Sequence, residues 1–144
     1  MNKVQEAVES FGKLHNCCQA VFSTYCEQFG LEKELALKIA CGFAAGMGRQ
    51  GETCGAVTGA YMLIGLKHGK VIQDDNQAKE KTYELVQEFS RKFKERNKFT
   101  ACKELLGAEP LTGDRTVLAE KYKVLCPIMV KDAAEIIEEL LEIK

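Results

Sequence analysis

The sequence contains neither a long hydrophobic run nor an excess of charge of either sign. No segment approaches the roughly 20 apolar residues that cross a bilayer, and the N-terminus lacks the apolar core of a secretion signal. The 20 basic and 21 acidic residues leave a formal charge of −1, so there is no electrostatic reason to expect nucleic-acid binding. We therefore expect a cytoplasmic protein with no membrane insertion and no nucleic-acid partner.

Closely spaced cysteine motifs are also missing. The chain has seven cysteines but no CxxC pair, no zinc-type double pair and no ferredoxin-like run. In a reducing compartment an odd number of cysteines argues against a permanent disulfide framework. Some thiols must be free, bound to metal or transiently oxidised, and any shared site requires the fold to gather them from distant positions.

Histidine is scarce as well, which makes hydrolytic catalysis a weak hypothesis. His15 precedes a predicted helix in a loop, and His68 falls in the last turn of another helix, where a positive charge is favourable. A nucleophile–base pair of Cys17 with His15 stays open as a minor alternative.

The 144 residues, 46% of them apolar, are typical of one domain, which we predict to cover residues 1–144. Apolar residues recur with helical spacing, and no strand pattern competes with them. The sequence therefore predicts an all-α bundle of five to eight helices. The predicted helices cover residues 3–11, 16–30, 31–45, 54–68, 78–97, 101–106 and 127–141, with a loop at 108–115 and either a short helix or irregular structure at 115–124.

Glycine is concentrated in residues 41–69, which hold eight of the twelve glycines. The string GMGRQG at 46–51 matches GxGxxG, but the preceding segment is helical in pattern and no βαβ unit follows, so we interpret it as a flexible loop. Gly55 and Gly59 form a strip on one face of the next predicted helix. Such a strip indicates close helix packing or, as the alternative, a face that accommodates a cofactor.

Four cysteines fall at predicted helix N-termini. Cys17 follows the N-cap Asn16, Cys54 follows the N-cap Thr53, Cys102 lies in the first turn after Thr100, and Cys126 is an N-cap before Pro127. Unpaired N–H groups and the helix dipole favour a thiolate at these positions.

The other three cysteines follow a different pattern. Cys26 and Cys41 fall in the middle of predicted helices and are expected in the core, while Cys18 lies on an apolar stripe beside Cys17.

The run Cys-Gly-Ala-Val-Thr-Gly at 54–59, together with Asn16-Cys17, Cys102 and Cys126, resembles the C_GCAxxG_C_C family of small redox proteins. The resemblance extends from about residue 16 to the last helix. It assigns the first family cysteine to Cys17 rather than to the adjacent Cys18. It implies redox activity, with an iron–sulfur or other prosthetic group, but no defined reaction. The chain has no twin-arginine export signal, so the resemblance implies a cytoplasmic member.

Our leading hypothesis is that Cys17, Cys54, Cys102 and Cys126 converge on one site. They either hold a metal or an iron–sulfur cluster, for which Gly55 and Gly59 make room, or exchange disulfides in pairs, with Cys54 as the first choice of attacking thiol. Either mechanism requires a redox partner protein or an oxidoreductase.

Two questions stay open at this point. The chain could instead be a helical binding or assembly module with structural cysteines. A homodimer is also possible, because nothing in the sequence decides the oligomeric state.

Overall fold

A computed structural model describes residues 1–107 and 115–144, and within them the chain is all-helical, which confirms the predicted fold class. None of the described helices combines the length and apolarity that a bilayer span needs. The loop predicted at 108–115 falls almost wholly outside the described residues. The helices are α1 (Lys3–Ser10), α2 (Cys17–Tyr25), α3 (Lys33–Ala40), α4 (Gly55–His68), α5 (Asn76–Asn97), α6 (Cys102–Leu106) and α7 (Arg115–Leu140).

The start of α2 is encoded locally. The Asn16 side chain accepts a hydrogen bond from the Gln19 N–H at 3.0 Å, and the Gln19 side chain accepts from the Asn16 N–H at 3.0 Å. This reciprocal capping box satisfies two N–H groups that the helix leaves unpaired. The same side chains donate to the carbonyls of Cys41 and Leu37, which fixes α3 and the turn after it against the start of α2.

Helix α4 lies at the centre of the bundle and packs against α2, α5 and α7. Its buried residues occur on every side of the helix, as expected for a helix surrounded by others. Tyr61 meets Phe89 of α5 edge-on, with ring centroids 5.9 Å apart. The core residues that α4 contributes are Ala56, Val57, Ala60, Leu63 and Ile64.

A second, smaller apolar cluster lies between α6 and α7. It consists of Cys102, Leu106, Leu118 and Cys126, with Tyr122 packed against it. Two of the four predicted site cysteines are therefore anchored in this cluster rather than in the main core.

Helix α7 is continuous from Arg115 to Leu140, so the helix start predicted at Pro127 is wrong. Proline inside a helix removes one hydrogen bond and conflicts with the carbonyl four residues earlier, at a cost of about 3 kcal/mol. The helix persists because Leu118, Tyr122 and Cys126 share one face that packs on the α6 cluster. Cys126 therefore lies inside a helix and not at an N-terminus.

Helix α3 ends at Ala40, earlier than predicted, and a 3₁₀ turn covers Cys41–Phe43. Cys41 is consequently exposed, which corrects the prediction that it belongs to the core. The buried residues of α3 are Ala36 and Ala40, and residue 41, one position further along, lies outside that face. Cys26 is fully buried, as predicted.

The segment after the 3₁₀ turn is left-handed. Ala45, Gly46, Met47, Gly48 and Arg49 all have φ between +56° and +71°. Each residue with a Cβ pays about 1–2 kcal/mol for this conformation, so surrounding contacts must hold the turn in place. The GxGxxG string thus forms a left-handed turn and loop rather than a dinucleotide-binding βα junction.

Candidate functional site

All four predicted site cysteines line one cavity of about 600 Å³. They come from four separate parts of the chain: Cys17 from α2, Cys54 from the start of α4, Cys102 from α6 and Cys126 from α7. Cys18 is instead fully buried beside Thr58, whose Oγ1 lies 3.8 Å from its Sγ. Of the two adjacent cysteines, Cys17 is therefore the one at the cavity.

The Cys17 sulfur lies beside backbone groups from three parts of the chain. Those of Ala45, Cys18, Gly55 and Cys17 itself lower the pKa of its thiol, against the larger effect of burial. Gly55 has no Cβ, and one built there would be 2.5 Å from the Cys17 Sγ, so no larger residue fits without displacing the sulfur. The first position of α4, the start of α2 and the left-handed turn therefore meet at this sulfur.

Cys54 and Cys102 are held side by side by backbone pairing. The Cys54 N–H donates to the Thr100 carbonyl at 2.8 Å, and the Cys102 N–H donates to the Glu52 carbonyl at 2.6 Å. Cys54 is the N-cap of α4, one residue earlier in the helix than predicted, and Cys102 is the first residue of α6. The Val57 N–H donates to the Cys54 carbonyl at 3.0 Å. The backbone groups of Ala56 and Val57 also lower the pKa of the Cys54 thiol.

The two predicted cofactor-binding glycines occupy different surroundings. Gly55 lines the cavity beside Cys17. Gly59 lies at the interface of α4 with α2, where an added Cβ would be 3.0 Å from the Cys18 carbonyl oxygen. Gly59 thus fits the helix-packing interpretation.

Burial controls the protonation of the site thiols. It raises the pKa of Cys102 to about 11 and that of Cys126 to about 12, and it raises those of Cys17 and Cys54 as well. The N–H groups at Cys17 and Cys54 act in the opposite direction but are outweighed. The expectation that helix N-termini make these cysteines thiolates is therefore wrong for the protein by itself. Burial destabilises the thiolate form by more than the N–H groups stabilise it.

The charged side chains on the cavity wall are basic. Lys13 and Arg49 line it, and no aspartate or glutamate occurs among its described lining residues. His15 also lines the cavity, and burial together with the charge of Lys33 lowers its pKa. This wall suits a group that carries negative charge.

The four sulfurs do not form a preformed site for a single ion. Among residues 1–107 and 115–144, no group of three or more His, Cys, Asp or Glu side chains is arranged to hold one metal ion. The thiols surround the cavity rather than meeting at a point.

The cavity wall also contains residues that the sequence pattern does not single out for the site. Cys41, expected in the core, and Arg49, in the GMGRQG loop, both line it. Tyr122 lies in the segment 115–124, for which the sequence leaves a short helix or irregular structure open, and its spacing of four residues from Cys126 is the available signal.

Comparison with known proteins gives one match. The family model described as "Putative redox-active protein (C_GCAxxG_C_C)" matches residues 15–140. No curated protein and no solved structure is significantly similar to the chain.

Proposed function

Because the chain belongs to the C_GCAxxG_C_C family of redox-active proteins, we propose that it transfers electrons by means of a polynuclear metal–sulfur cluster. The ligands are the sulfurs of Cys17, Cys54, Cys102 and Cys126. The observation that carries the proposal is that these four cysteines, from four parts of the chain, line one cavity whose described wall has no carboxylate.

The donor set favours a soft metal. Thiolates select copper(I), zinc and iron–sulfur clusters, whereas magnesium, calcium and manganese require oxygen ligands. Zinc has no redox chemistry, so it does not account for a redox-active family. An iron–sulfur cluster is the thiolate-bound group that supplies the activity.

The width of the cavity favours several metal atoms over one. The cavity that the four cysteines line together with other residues has about 600 Å³, and no three potential ligands in the described part of the chain are placed around a single ion. A polynuclear group spans thiols that stand apart, and the absent Cβ of Gly55 leaves room beside Cys17.

The raised pKa values also favour a bound metal over free thiol chemistry. Disulfide exchange needs a thiolate, and burial keeps these thiols protonated at neutral pH. Metal binding displaces the thiol protons and compensates the buried negative charge. The backbone groups that lower the pKa of Cys17 and Cys54 would then stabilise the metal-bound thiolates.

The roles of the residues follow from their positions. When bound, the cluster supplies reversible one-electron transfer. The cysteines hold it, and the N–H groups of Ala45, Gly55 and Ala56 stabilise negative charge on the sulfurs. A redox partner protein donates or accepts the electron.

The test is the iron and acid-labile sulfide content of protein purified or reconstituted without oxygen, with its visible and electron paramagnetic resonance spectra. We expect stoichiometric iron and sulfide in the wild type. Single Cys→Ser variants at 17, 54, 102 and 126 should lose affinity for iron on the order of tenfold or more. Cys26→Ser is the matched control and should keep its iron, since Cys26 is buried in the main core and does not line the cavity.

Two results would contradict the proposal. The first is wild-type protein without metal after anaerobic reconstitution. Thiol titration would then decide between disulfide exchange and an assembly module with structural cysteines. The second is retention of iron by all four site variants.

A further inference from the structure

Two polar side chains of the cavity wall have no part in holding a metal. Tyr122 lies on α7, four residues before Cys126 and therefore on the same face of the helix. Arg49 lies on the left-handed turn and lines the same cavity. The two are close enough to interact electrostatically.

The phenol of Tyr122 is a hydrogen-bond donor among sulfurs. It is half-buried, lines the cavity together with Cys17, and packs against the cluster that contains Cys102 and Cys126. A phenol O–H is a hydrogen-bond donor, so Tyr122 can donate to an acceptor in the cavity.

Arg49 supplies positive charge that no carboxylate in the described part of the chain neutralises. Among the described residues it forms no ion pair, in contrast to Arg91 and Arg96 on α5, which pair with glutamate and aspartate side chains. A guanidinium keeps its charge at every physiological pH. Lys13 is the second cation on the wall, and the described wall has no anion to oppose either.

We propose that Arg49 and Tyr122 set the reduction potential of the site by stabilising the negative charge that each added electron brings. This inference rests on the proposed function. A one-electron donor loses one electron, and the site gains it. The charge of the site becomes more negative by one, and no bond or proton transfer is needed. Four thiolates already make the site negative, so a further electron is unfavourable unless positive charge or a hydrogen-bond donor compensates it.

Arg49 and Tyr122 are thus positioning residues that act on the cluster through charge and hydrogen bonding. Removing either one makes the reduced state less stable while leaving all four ligands in place. The oxidised state changes less, because it carries less negative charge. The expected signature is a more negative reduction potential with an unchanged iron content.

The experiment is a spectroelectrochemical titration of the reconstituted full chain. The variants are Arg49→Gln, Arg49→Lys and Tyr122→Phe, and the matched controls are Arg91→Gln and Tyr83→Phe, at exposed positions on α5. At the potential that half-reduces the wild type, Arg49→Gln should lower the ratio of reduced to oxidised protein about fivefold. Tyr122→Phe should lower it about threefold, the size of one hydrogen bond. Arg49→Lys and both controls should stay near the wild-type ratio.

The outcomes separate this inference from the proposed function. Iron-loaded Arg49→Gln and Tyr122→Phe proteins with the ratio of their controls would overturn the inference and leave the cluster proposal intact. A wild type without a redox-active cluster would overturn both. If Arg49→Gln fails to assemble the cluster, Tyr122→Phe decides, since the phenyl ring keeps the packing and removes only the hydroxyl.

Discussion

Because glycine has no Cβ atom, it allows the close backbone contacts that position the site sulfurs. Gly46 is buried with φ +66°, and a Cβ there would be 2.6 Å from the Glu52 nitrogen and 2.7 Å from the Cys102 Cβ. Its own carbonyl accepts the Glu52 N–H at 3.0 Å. Gly46 therefore lets the left-handed turn approach α6, which brings the turn and Cys102 to one cavity.

We predict that Gly46→Ala lowers the free energy of unfolding by about 3 kcal/mol, from backbone strain plus overpacking against Glu52 and Cys102. Gly12→Ala is the matched control, because Gly12 has φ +80° but an added Cβ would meet nothing within 4 Å. The control substitution should lower the free energy of unfolding only by the backbone strain, about 1–2 kcal/mol. Urea unfolding of the metal-free proteins measures both. Equal losses would show that the close contact at Gly46 is unimportant.

At the scale of one helix, α4 has two faces that use glycine differently. Gly59 faces α2, where an added Cβ would be 3.0 Å from the Cys18 carbonyl oxygen and 3.2 Å from the Val21 Cβ. Gly65, two turns later in the same helix, has nothing within 4 Å of an added Cβ. Close helix packing therefore explains Gly59 but not Gly65.

This contrast predicts opposite effects for one substitution at two positions of α4. Gly59→Ala should destabilise the protein by about 1–3 kcal/mol, because α2 must move away. Gly65→Ala should stabilise it by about 0.5–1 kcal/mol, because alanine restricts the unfolded chain and fits the helix. Thermal and urea unfolding compare the two. A stabilising Gly59→Ala would contradict the packing assigned to this face.

In helix α7, packing against α6 overrides the local sequence pattern around Cys126. Cys126 before Pro127 has the local pattern of a helix start, and proline is favoured at that position. The apolar face that includes Leu118 and Tyr122 instead packs on α6 and carries the helix through the proline. Cys126 reaches the cavity by packing, with no N-terminal N–H groups of its own.

At the scale of the whole molecule, gathering the cysteines buries thiols whose charge the protein does not compensate by itself. Burial raises the pKa of Cys18 and Cys126 to about 12 and that of Cys102 to about 11, from an ordinary value of 9.0. Between about pH 9 and pH 11 the unfolded chain loses these protons while the folded chain keeps them. The unfolded state then binds fewer protons, so stability falls as pH rises.

We therefore predict that these thiols contribute a nearly constant amount to the free energy of unfolding of the metal-free protein below about pH 8. Above pH 9 this free energy should fall as the pH rises. The slope should be about 1.4 kcal/mol per pH unit for each buried thiol. Urea unfolding between pH 7.5 and 10.5 measures it. Cys18→Ala should reduce the slope by the contribution of one buried thiol. Cys41→Ala, at an exposed position, is the control and should leave the slope unchanged. A slope unaffected by Cys18→Ala would contradict the assignment of burial as the cause.

The sequence by itself determined the all-helical fold, the capped start of α2 and the family cysteines, because these depend on helical periodicity, on a capping box within four residues and on a short motif. It could not determine that Cys41 is exposed or that α7 passes through Pro127, since competing local preferences are decided by packing between distant elements. The cavity, and the placement of Arg49 and Tyr122 on its wall together with the sulfurs, also depended on the tertiary structure. Burial and long-range backbone pairing, neither of which a local pattern contains, decide which side chains share a site and which protonation state they adopt.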